Sequence, residues 1–321
     1  MSGIKIKGTG LGIPSKIVTN EDLTKIVETN EEWILSRTGI RTRCHLAEGE
    51  TVSALTVQAA QEALRDAGVR AEEVGICIVA TVTPDTVVPS AACRVQSALR
   101  LPADSICFDL NAACTGFLFA LHTMECLLRG SAYKYGLVIG AENLSRVIDW
   151  TDRGTCILFG DGAGAAVVEF DESWPSIGAV LGCHGEDQML RLGSVGSDTS
   201  GLIHMEGANV FKFAIQAVPY CVEQTLRRSG KTVEDVDFFV FHQANSRIID
   251  AAVKRYRIPP EKVYKNIQDY GNTSAASIPL VLGELCAQGR IGAGNRVLVV
   301  GFGGGLTWGG ALVEFTERNV L

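Results

Sequence analysis

No apolar run in this chain approaches the roughly 20 residues that a bilayer-spanning helix needs, so no membrane segment is expected. The first residues, Met1-Ser-Gly-Ile-Lys-Ile-Lys7, lack the basic-then-apolar layout of a secretory leader, and the expectation is a cytoplasmic protein. The ten cysteines form no Cys-x-x-Cys pair; they are scattered at Cys44, Cys77, Cys93, Cys107, Cys114, Cys126, Cys156, Cys183, Cys221 and Cys286. That spacing suggests neither a zinc site nor a disulfide framework, and no metal is expected. Basic residues are in deficit, 29 Lys and Arg against 36 Asp and Glu, for a net charge of -7. The balance argues against nucleic acid as a general partner. Histidine is scarce, with five in all: His45, His122, His184, His204 and His242.

What is present is a globular composition: 321 residues, 46% hydrophobic, 20% charged, 35 of them glycine. That length makes one large domain or two ordinary ones, with an ample core. The most informative stretch is Ser105-Ile-Cys-Phe-Asp-Leu-Asn-Ala-Ala-Cys-Thr-Gly-Phe-Leu-Phe119. Ile106 to Leu110 has the length of a buried strand. Phe117, Leu121, Met124 and Leu128 then recur at helical spacing, and Gly130 stops the helix. Cys114 therefore falls at a strand-to-helix corner, where unbonded N–H groups and the helix dipole favour thiolate over thiol. Thr115 and Gly116 add little bulk around the sulfur. Taken alone, Cys114 is equally readable as one more small buried hydrophobe.

Further strands are expected at Ile4 to Gly8, Gly75 to Val82, Leu137 to Gly140 and Asp161 to Phe170. Helices are expected within Glu21 to Thr38, at Ser53 to Ala67 with Ser53 as cap, and at Ser90 to Leu99. The second half repeats the plan. It offers a helix from Asn209 to Arg228, a strand from Asp237 to Phe241 ending at His242, and a helix from Ala244 to Tyr256 before Pro259-Pro260. A short strand at Lys262 to Lys265 and a loop to Asn272 precede a helix capped by Thr273 or Ser274. Strands at Arg296 to Gly301 and Gly310 to Phe315 are joined by the glycine-rich Phe302 to Gly309. Gly164-Ala-Ala-Val-Val-Glu-Phe170 echoes Gly310-Ala-Leu-Val-Glu-Phe315, and the corner carrying Cys114 matches the one carrying Asn272. Two units, residues 1–172 and 173–321, would each form a sheet with right-handed crossovers. Equivalent corners would then meet near a pseudo-twofold axis, bringing Cys114, His242 and Asn272 together.

Several stretches carry a family resemblance over nearly the whole chain: Asn30-Glu-Glu-Trp-Ile-Leu-Ser-Arg-Thr-Gly-Ile-Arg41, Asn111-Ala-Ala-Cys-Thr-Gly-Phe117, Thr151-Asp-Arg-Gly-Thr-Cys156, Phe159-Gly-Asp-Gly-Ala-Gly-Ala165, Val210-Phe-Lys-Phe213, His242-Gln-Ala-Asn-Ser-Arg-Ile248, Tyr270-Gly-Asn-Thr-Ser-Ala-Ala-Ser-Ile-Pro279 and Gly301-Phe-Gly-Gly-Gly-Leu-Thr-Trp-Gly309. The chain resembles the thiolase-fold condensing enzymes, and among them the β-ketoacyl-acyl-carrier-protein synthases III. The resemblance implies an α/β, thiolase-like fold of two pseudo-repeated βαβ halves in αβαβα layers. It implies that Cys114 takes an acyl group from a short acyl-CoA, acetyl or small and branched, and passes it to a malonyl-acyl-carrier protein that loses CO2. His242 and Asn272 would hydrogen-bond the thioester oxygen during decarboxylation, and the N–H groups of Cys114 and Gly304 would form an oxyanion hole. An asparagine at 272, where elongating synthases have a second histidine, fits synthase III and the chalcone-synthase group.

By the same resemblance Trp33 and Arg153 would sandwich the adenine of CoA, with Arg37 near its phosphates and Asn209 and Asn245 along the pantetheine arm. Gln243, Ala244, Asn245, Ser246 and Arg247, with Lys212, Lys254, Arg255 and Arg257, would face the acidic carrier protein. Val88, where some relatives have phenylalanine, would reach across a homodimer and close the acyl pocket. No cofactor is implied, acyl-CoA being a substrate. Two alternatives stand beside this reading: a related polyketide-type condensing enzyme, and a non-catalytic thiolase-fold partner subunit.

Overall fold

The computed structural model describes residues 2–193 and 201–317. In chain order its strands are β1 (Gly3–Gly12), β2 (Lys16–Thr19), β3 (Thr42–His45), β4 (Val74–Ala80), β5 (Ile106–Leu110), β6 (Tyr135–Glu142), β7 (Gly162–Asp171), β8 (Val180–Glu186), β9 (Leu190–Leu192), β10 (Ile203–Met205), β11 (Phe238–Phe241), β12 (Arg296–Gly303) and β13 (Gly305–Glu314). The helices are α1 (Asn20–Thr24), α2 (Glu31–Thr38), α3 (Val52–Ala67), α4 (Ala91–Leu99), α5 (Gly116–Arg129), α6 (Arg153–Cys156), α7 (Gly207–Ser229), α8 (Ser246–Tyr256), α9 (Ile267–Tyr270) and α10 (Ser277–Ala287). No helix among the described residues is long and apolar enough to cross a membrane.

One sheet runs β1-β7-β6-β4-β5 and the other β11-β12-β13-β8. In the first, β4 lies parallel to β5 and β6, and β7 antiparallel to β6 and β1. In the second, β11 lies parallel to β12, and β13 antiparallel to β12 and β8. The two orders match strand for strand, because Phe239 of β11 also makes a parallel bridge to Val263, in the place β5 takes beside β4.

Apolar periodicity sorts the helices into layers. Phe117, Leu118, Leu121, Met124 and Leu128 of α5, with Ile278, Val281, Leu282 and Leu285 of α10, are buried between the two sheets. Ile76, Ile78 and Val168 meet them from one side, Val240, Val299 and Val313 from the other. α3 and α4 cover the far face of the first sheet, on Val79, Ile139 and Val167. α7 and α8 cover the far face of the second, on Phe239, Leu298 and Val300. The result is an αβαβα stack of five layers. A fourth cluster, built on Leu23, Ile34, Ile157, Phe159 and Ile267, roofs the region where the carboxyl ends of the parallel strands converge.

The structure departs from the sequence reading at several points. β5 is an edge strand with Ile106 42% exposed, not a strand buried in the sheet. The strand expected at Lys262 to Lys265 shrinks to the Val263 bridge, because Pro259 and Pro260 start a 3-10 turn there. Helix α3 is capped by Thr51, whose hydroxyl accepts the Ala54 N–H; Ser53 lies inside the first turn. Helix α10 has no hydroxyl cap, since a 3-10 turn over Ser274–Ala276 precedes it. The glycine-rich connection is mostly paired strand, with Phe302 opposite Trp308 and Gly303 opposite Thr307.

The internal match also shifts. Ala113 and Ser274 hold the same left-handed backbone, φ 47° and 48°, and each gives its N–H to the asparagine two residues before it, Asn111 and Asn272. The 3-10 turns Ala113–Thr115 and Ser274–Ala276 then lead into α5 and α10. Asn272 is thus the counterpart of Asn111, and Cys114 the counterpart of Ala275. Because Phe117 has no exposed surface between the sheets, Phe117→Ala is expected to destabilise the fold by about 3–5 kcal/mol, read from urea unfolding followed by circular dichroism.

Candidate active site

Cys114 sits in the 3-10 turn that opens α5, buried with 8% of its surface exposed. A Cβ on Gly303 would lie 2.9 Å from both Cβ and N of Cys114, and a Cβ on Gly301 would lie 3.7 Å from the Cβ of His242. The two glycines are two apart on β12 and so face the same side. Cysteine and imidazole therefore lie side by side on a strip of strand with no side chains of its own. His242 continues β11, its N–H bonded to the Val300 carbonyl at 2.8 Å. Asn272 is held by its backbone, giving its N–H to Leu158 O at 2.8 Å and accepting the Gly160 N–H at 3.0 Å. All three line one cavity of about 590 Å³, with Phe302 and Gly303.

Hydrogen bonding fixes what each group offers. The Asn272 Oδ1 accepts the Ser274 N–H at 2.9 Å, so the amide NH2 is the end left to face the cavity. His242 Nδ1 lies 2.6 Å from Ser277 Oγ, which also accepts the Gln243 N–H at 3.3 Å. We assign the serine hydrogen to Nδ1, leaving the imidazole hydrogen on Nε2. Burial lowers the His242 pKa to about 3, so the ring is neutral. Phe302 presses edge-on against it, ring centres 5.4 Å apart.

Burial acts against the thiolate expected from the sequence. It raises the Cys114 pKa to about 12, opposed more weakly by the Ser274 hydroxyl and by the cysteine's own N–H. The helix start is real, but desolvation of a charge outweighs a partial dipole. Behind Ser274 lies a residue the sequence reading missed, Glu142, wholly buried at the end of β6. Its carboxylate accepts from Thr83 Oγ1 at 2.5 Å, Val82 N at 3.1 Å and Ser274 Oγ at 3.0 Å. Burial nevertheless raises its pKa to about 7. The signal was available: an acidic residue ends the otherwise apolar run Tyr135 to Ala141.

On the other side of Cys114 a cavity of about 550 Å³ is lined by Val82, Leu144, Phe159, Leu190, Leu192 and Ile203, with Ser274, Gly304 and Thr307. Gly304 is thus placed beside Cys114 in this second cavity. Strands β9 and β10, which form part of its wall, carried no clear pattern in the sequence.

The remaining predicted residues divide. Trp33, Arg37, Lys212, Ala244, Asn245 and Arg247 line the 590 Å³ cavity with the catalytic candidates. Arg153 stacks directly on Trp33, its guanidinium 4.7 Å from the ring centre. Arg247 lies 5.2 Å over the Phe211 ring. Asn245 caps α8 and gives its NH2 to the Arg37 carbonyl, so its amide is engaged. Asn209 is outside the cavity lining and bonds Glu206 at 2.6 Å. Gln243 is corrected outright as a surface contact. It is buried, and its amide bonds Phe241 O, Asn266 N and Ile267 N. Ser246 packs against Gly39. Lys254 and Arg257 are exposed, while Arg255 pairs with Glu223 at 3.0 Å. Val88 is 84% exposed and touches neither cavity within one chain.

Comparison with known proteins adds a second line. Residues 108–185 match the sequence profile of the 3-oxoacyl-[acyl-carrier-protein] synthase III family, and residues 226–315 match the profile of that family's C-terminal region. The chain is 47% identical to the beta-ketoacyl-[acyl-carrier-protein] synthase III of Desulfitobacterium hafniense, over all of both chains. The crystal structure of the 3-oxoacyl-[acyl-carrier-protein] synthase III of Aquifex aeolicus superposes with a TM-score of 0.91, at 43% identity, covering 97% of this chain and all of the other. The priming β-ketosynthase of the R1128 polyketide pathway superposes at 0.92, with 35% identity, covering 99% of this chain and 97% of that one.

Two outcomes follow from the geometry. The depressed His242 pKa means that between about pH 6.5 and 3 the unfolded chain binds a proton the folded one does not. Stability carried by neutral His242 is therefore full above pH 6.5 and declines as the pH falls, and its ring NMR signals should stay in the neutral position from pH 8 to 4. Gly303→Ala should push the Cys114 turn off β12, and alkylation of Cys114 by iodoacetamide, read by mass spectrometry, should change while α5 keeps its helicity.

Proposed function

Because the chain belongs to the 3-oxoacyl-[acyl-carrier-protein] synthase III family and so has the thiolase fold, we propose that it condenses a short acyl-CoA with malonyl-acyl-carrier protein, giving 3-oxoacyl-carrier protein, CO2 and CoA. The observation that carries this reading is the single cavity shared by Cys114, neutral His242 and the amide NH2 of Asn272. In the first half-reaction the Cys114 sulfur attacks the acyl thioester and CoA leaves as its thiol. The chain of the acyl group extends toward the apolar walls formed by Val82, Leu144, Leu192 and Ile203. In the second, malonyl thioester occupies the larger cavity with its carbonyl oxygen between His242 Nε2–H and Asn272 Nδ2–H. Those two donors stabilise the enolate oxygen as CO2 departs. A neutral imidazole suits this task, since it donates a hydrogen bond without a competing charge. The enolate carbon then attacks the acyl-cysteine, whose developing oxyanion is held by the Cys114 and Gly304 N–H groups; collapse breaks the C–S bond and releases Cys114 as its thiolate, which regains a proton from solvent.

The entrance supports a phosphate-bearing arm. Arg37, Lys212 and Arg247 rim the mouth, and Lys254 and Arg257 extend the positive field along α8, which fits an acidic carrier protein. An adenine held between Trp33 and Arg153 requires the guanidinium to swing out, because a centre distance of 4.7 Å leaves no room for a third plane. We further propose a cytoplasmic homodimer that needs no cofactor, built from units 1–172 and 173–321. The free edge of β5 and the exposed Val87 and Val88 before α4 support pairing of two copies there. A non-catalytic partner is disfavoured because all three reacting groups are present in one cavity, and a polyketide-priming role would use the same chemistry on a different starter.

Incubation with labelled acetyl-CoA should place label on Cys114, located by peptide mass spectrometry; a chain that takes no label from any short acyl-CoA would defeat the proposal. His242→Ala and Asn272→Ala should each slow condensation by about 100- to 1,000-fold, as loss of an oxyanion donor does elsewhere. Arg247→Glu should lower kcat/KM with malonyl-carrier protein by roughly tenfold more than with malonyl-CoA, about 1.4 kcal/mol.

A further inference from the structure

The buried carboxyl of Glu142 has no part in the chemistry above, yet one hydroxyl, that of Ser274, stands between it and the cavity that Cys114 lines. Ser274 Oγ lies 3.0 Å from Glu142 Oε1 and lines the same cavity as Cys114, where, against the larger effect of burial, its hydroxyl favours the thiolate. Among the described residues no lysine, arginine or histidine pairs with Glu142, so its charge is balanced by hydrogen bonds alone. The groups that meet it are uncharged: Thr81, Val82 and Thr83 after β4, and Ser274 and Ala275 before α10. Cys114 is the titratable group that feels its charge.

A serine has one hydrogen to donate. While Glu142 is a carboxylate, that hydrogen is drawn to it, and a thiolate beside Ser274 would face a like charge without the serine hydrogen. If Glu142 is protonated, it donates to Ser274 Oγ and the serine hydrogen is free to turn to the sulfur. Thiolate formation and carboxylate protonation therefore favour each other. We propose that Glu142 is a positioning residue that receives, through Ser274, the proton Cys114 gives up on activation. The Cys114 S–H hydrogen passes to Ser274 Oγ as the serine hydrogen passes to Glu142 Oε1. The S–H bond breaks, a carboxyl O–H bond forms, and the net charge of the group is unchanged, which a buried site requires. When the sulfur attacks an acyl-CoA, the departing CoA sulfur takes that proton back along the same path, and Glu142 is again a carboxylate. This step rests on Cys114 being the nucleophile, but its test needs no acyl donor.

The test is the pH dependence of Cys114 alkylation by iodoacetamide, followed on the Cys114 peptide in wild type, Glu142→Gln and Ser274→Ala. In the wild type, reactivity should rise with pH through an inflection near 7, where Glu142 becomes able to accept the proton, and level off above it. Glu142→Gln keeps the size and removes the acceptor, so alkylation at pH 7.5 should fall at least tenfold and the inflection should move up by more than one pH unit. Ser274→Ala should do the same with the carboxyl intact, and Glu142→Asp should recover part of the rate. A Glu142 that merely braces the turn or repels the sulfur gives the opposite sign: its removal would leave alkylation unchanged or speed it. Either result, or a normal profile in Ser274→Ala, overturns the proposal. If Glu142→Gln fails to fold, Ser274→Ala decides alone. Full alkylation behaviour in a chain that takes no label from acyl-CoA would leave the relay standing and remove the assigned reaction.

Discussion

The site depends on two tight turns being pressed against each other where α5 and α10 begin. Ala275 meets Gly116 and Gly140 so closely that a Cβ on Gly140 would lie 2.1 Å from its carbonyl oxygen. Across that contact the first half supplies the sulfur and the buried carboxyl, and the second supplies the hydroxyl, the imidazole and the amide. The turns can approach because α5 and α10 share one apolar layer between the sheets, so the central core and the polar groups of the candidate site are set by the same packing. Interiors this dense transmit small changes in volume, which is why the glycines around the cavity belong to the chemistry as much as the polar groups do.

Electrostatically the site is built to stay neutral. Burial opposes charge on the cysteine and the histidine alike and weakens the acidity of Glu142. A neutral His242 is suited to donating a hydrogen bond and a buried thiol is protected from solvent; for the proposed attack, a sulfur that resists ionisation would need its proton removed at that moment. The positive groups stand apart at the mouth, on α2, α7 and α8, where water screens them and where an anionic arm would first arrive.

The layers and the strand-to-helix corner that carries Cys114 were legible in the sequence because they rest on short-range rules. The 3.6-residue spacing of Phe117, Leu121, Met124 and Leu128 marks α5, and the apolar run before Cys114 marks β5. The paired halves also announced that His242 and Asn272 would meet Cys114. What could not be read depends on partners distant in sequence. Gln243 looked like part of a polar surface run, but its amide closes bonds to Asn266 and Ile267 in the interior. The cap of α3 moved from Ser53 to Thr51 because both are good caps and only the chain direction chooses. The thiolate at the helix start was expected from local dipoles, whereas the cost of burying the charge is a property of the whole cavity. Glu142 was overlooked because its hydrogen-bond donors come from residues 81 to 83 and 274.

The duplicated plan is unequal in one respect. Beside β11 the counterpart of β5 survives only as the Val263 bridge, while β5 itself keeps five residues and an open side. A fully symmetric repeat would offer two such adhesive rims per molecule, and copies could then join end to end without limit. With one rim trimmed away, the proposed pairing along this side would be self-complementary and would terminate at two subunits instead of propagating into a filament.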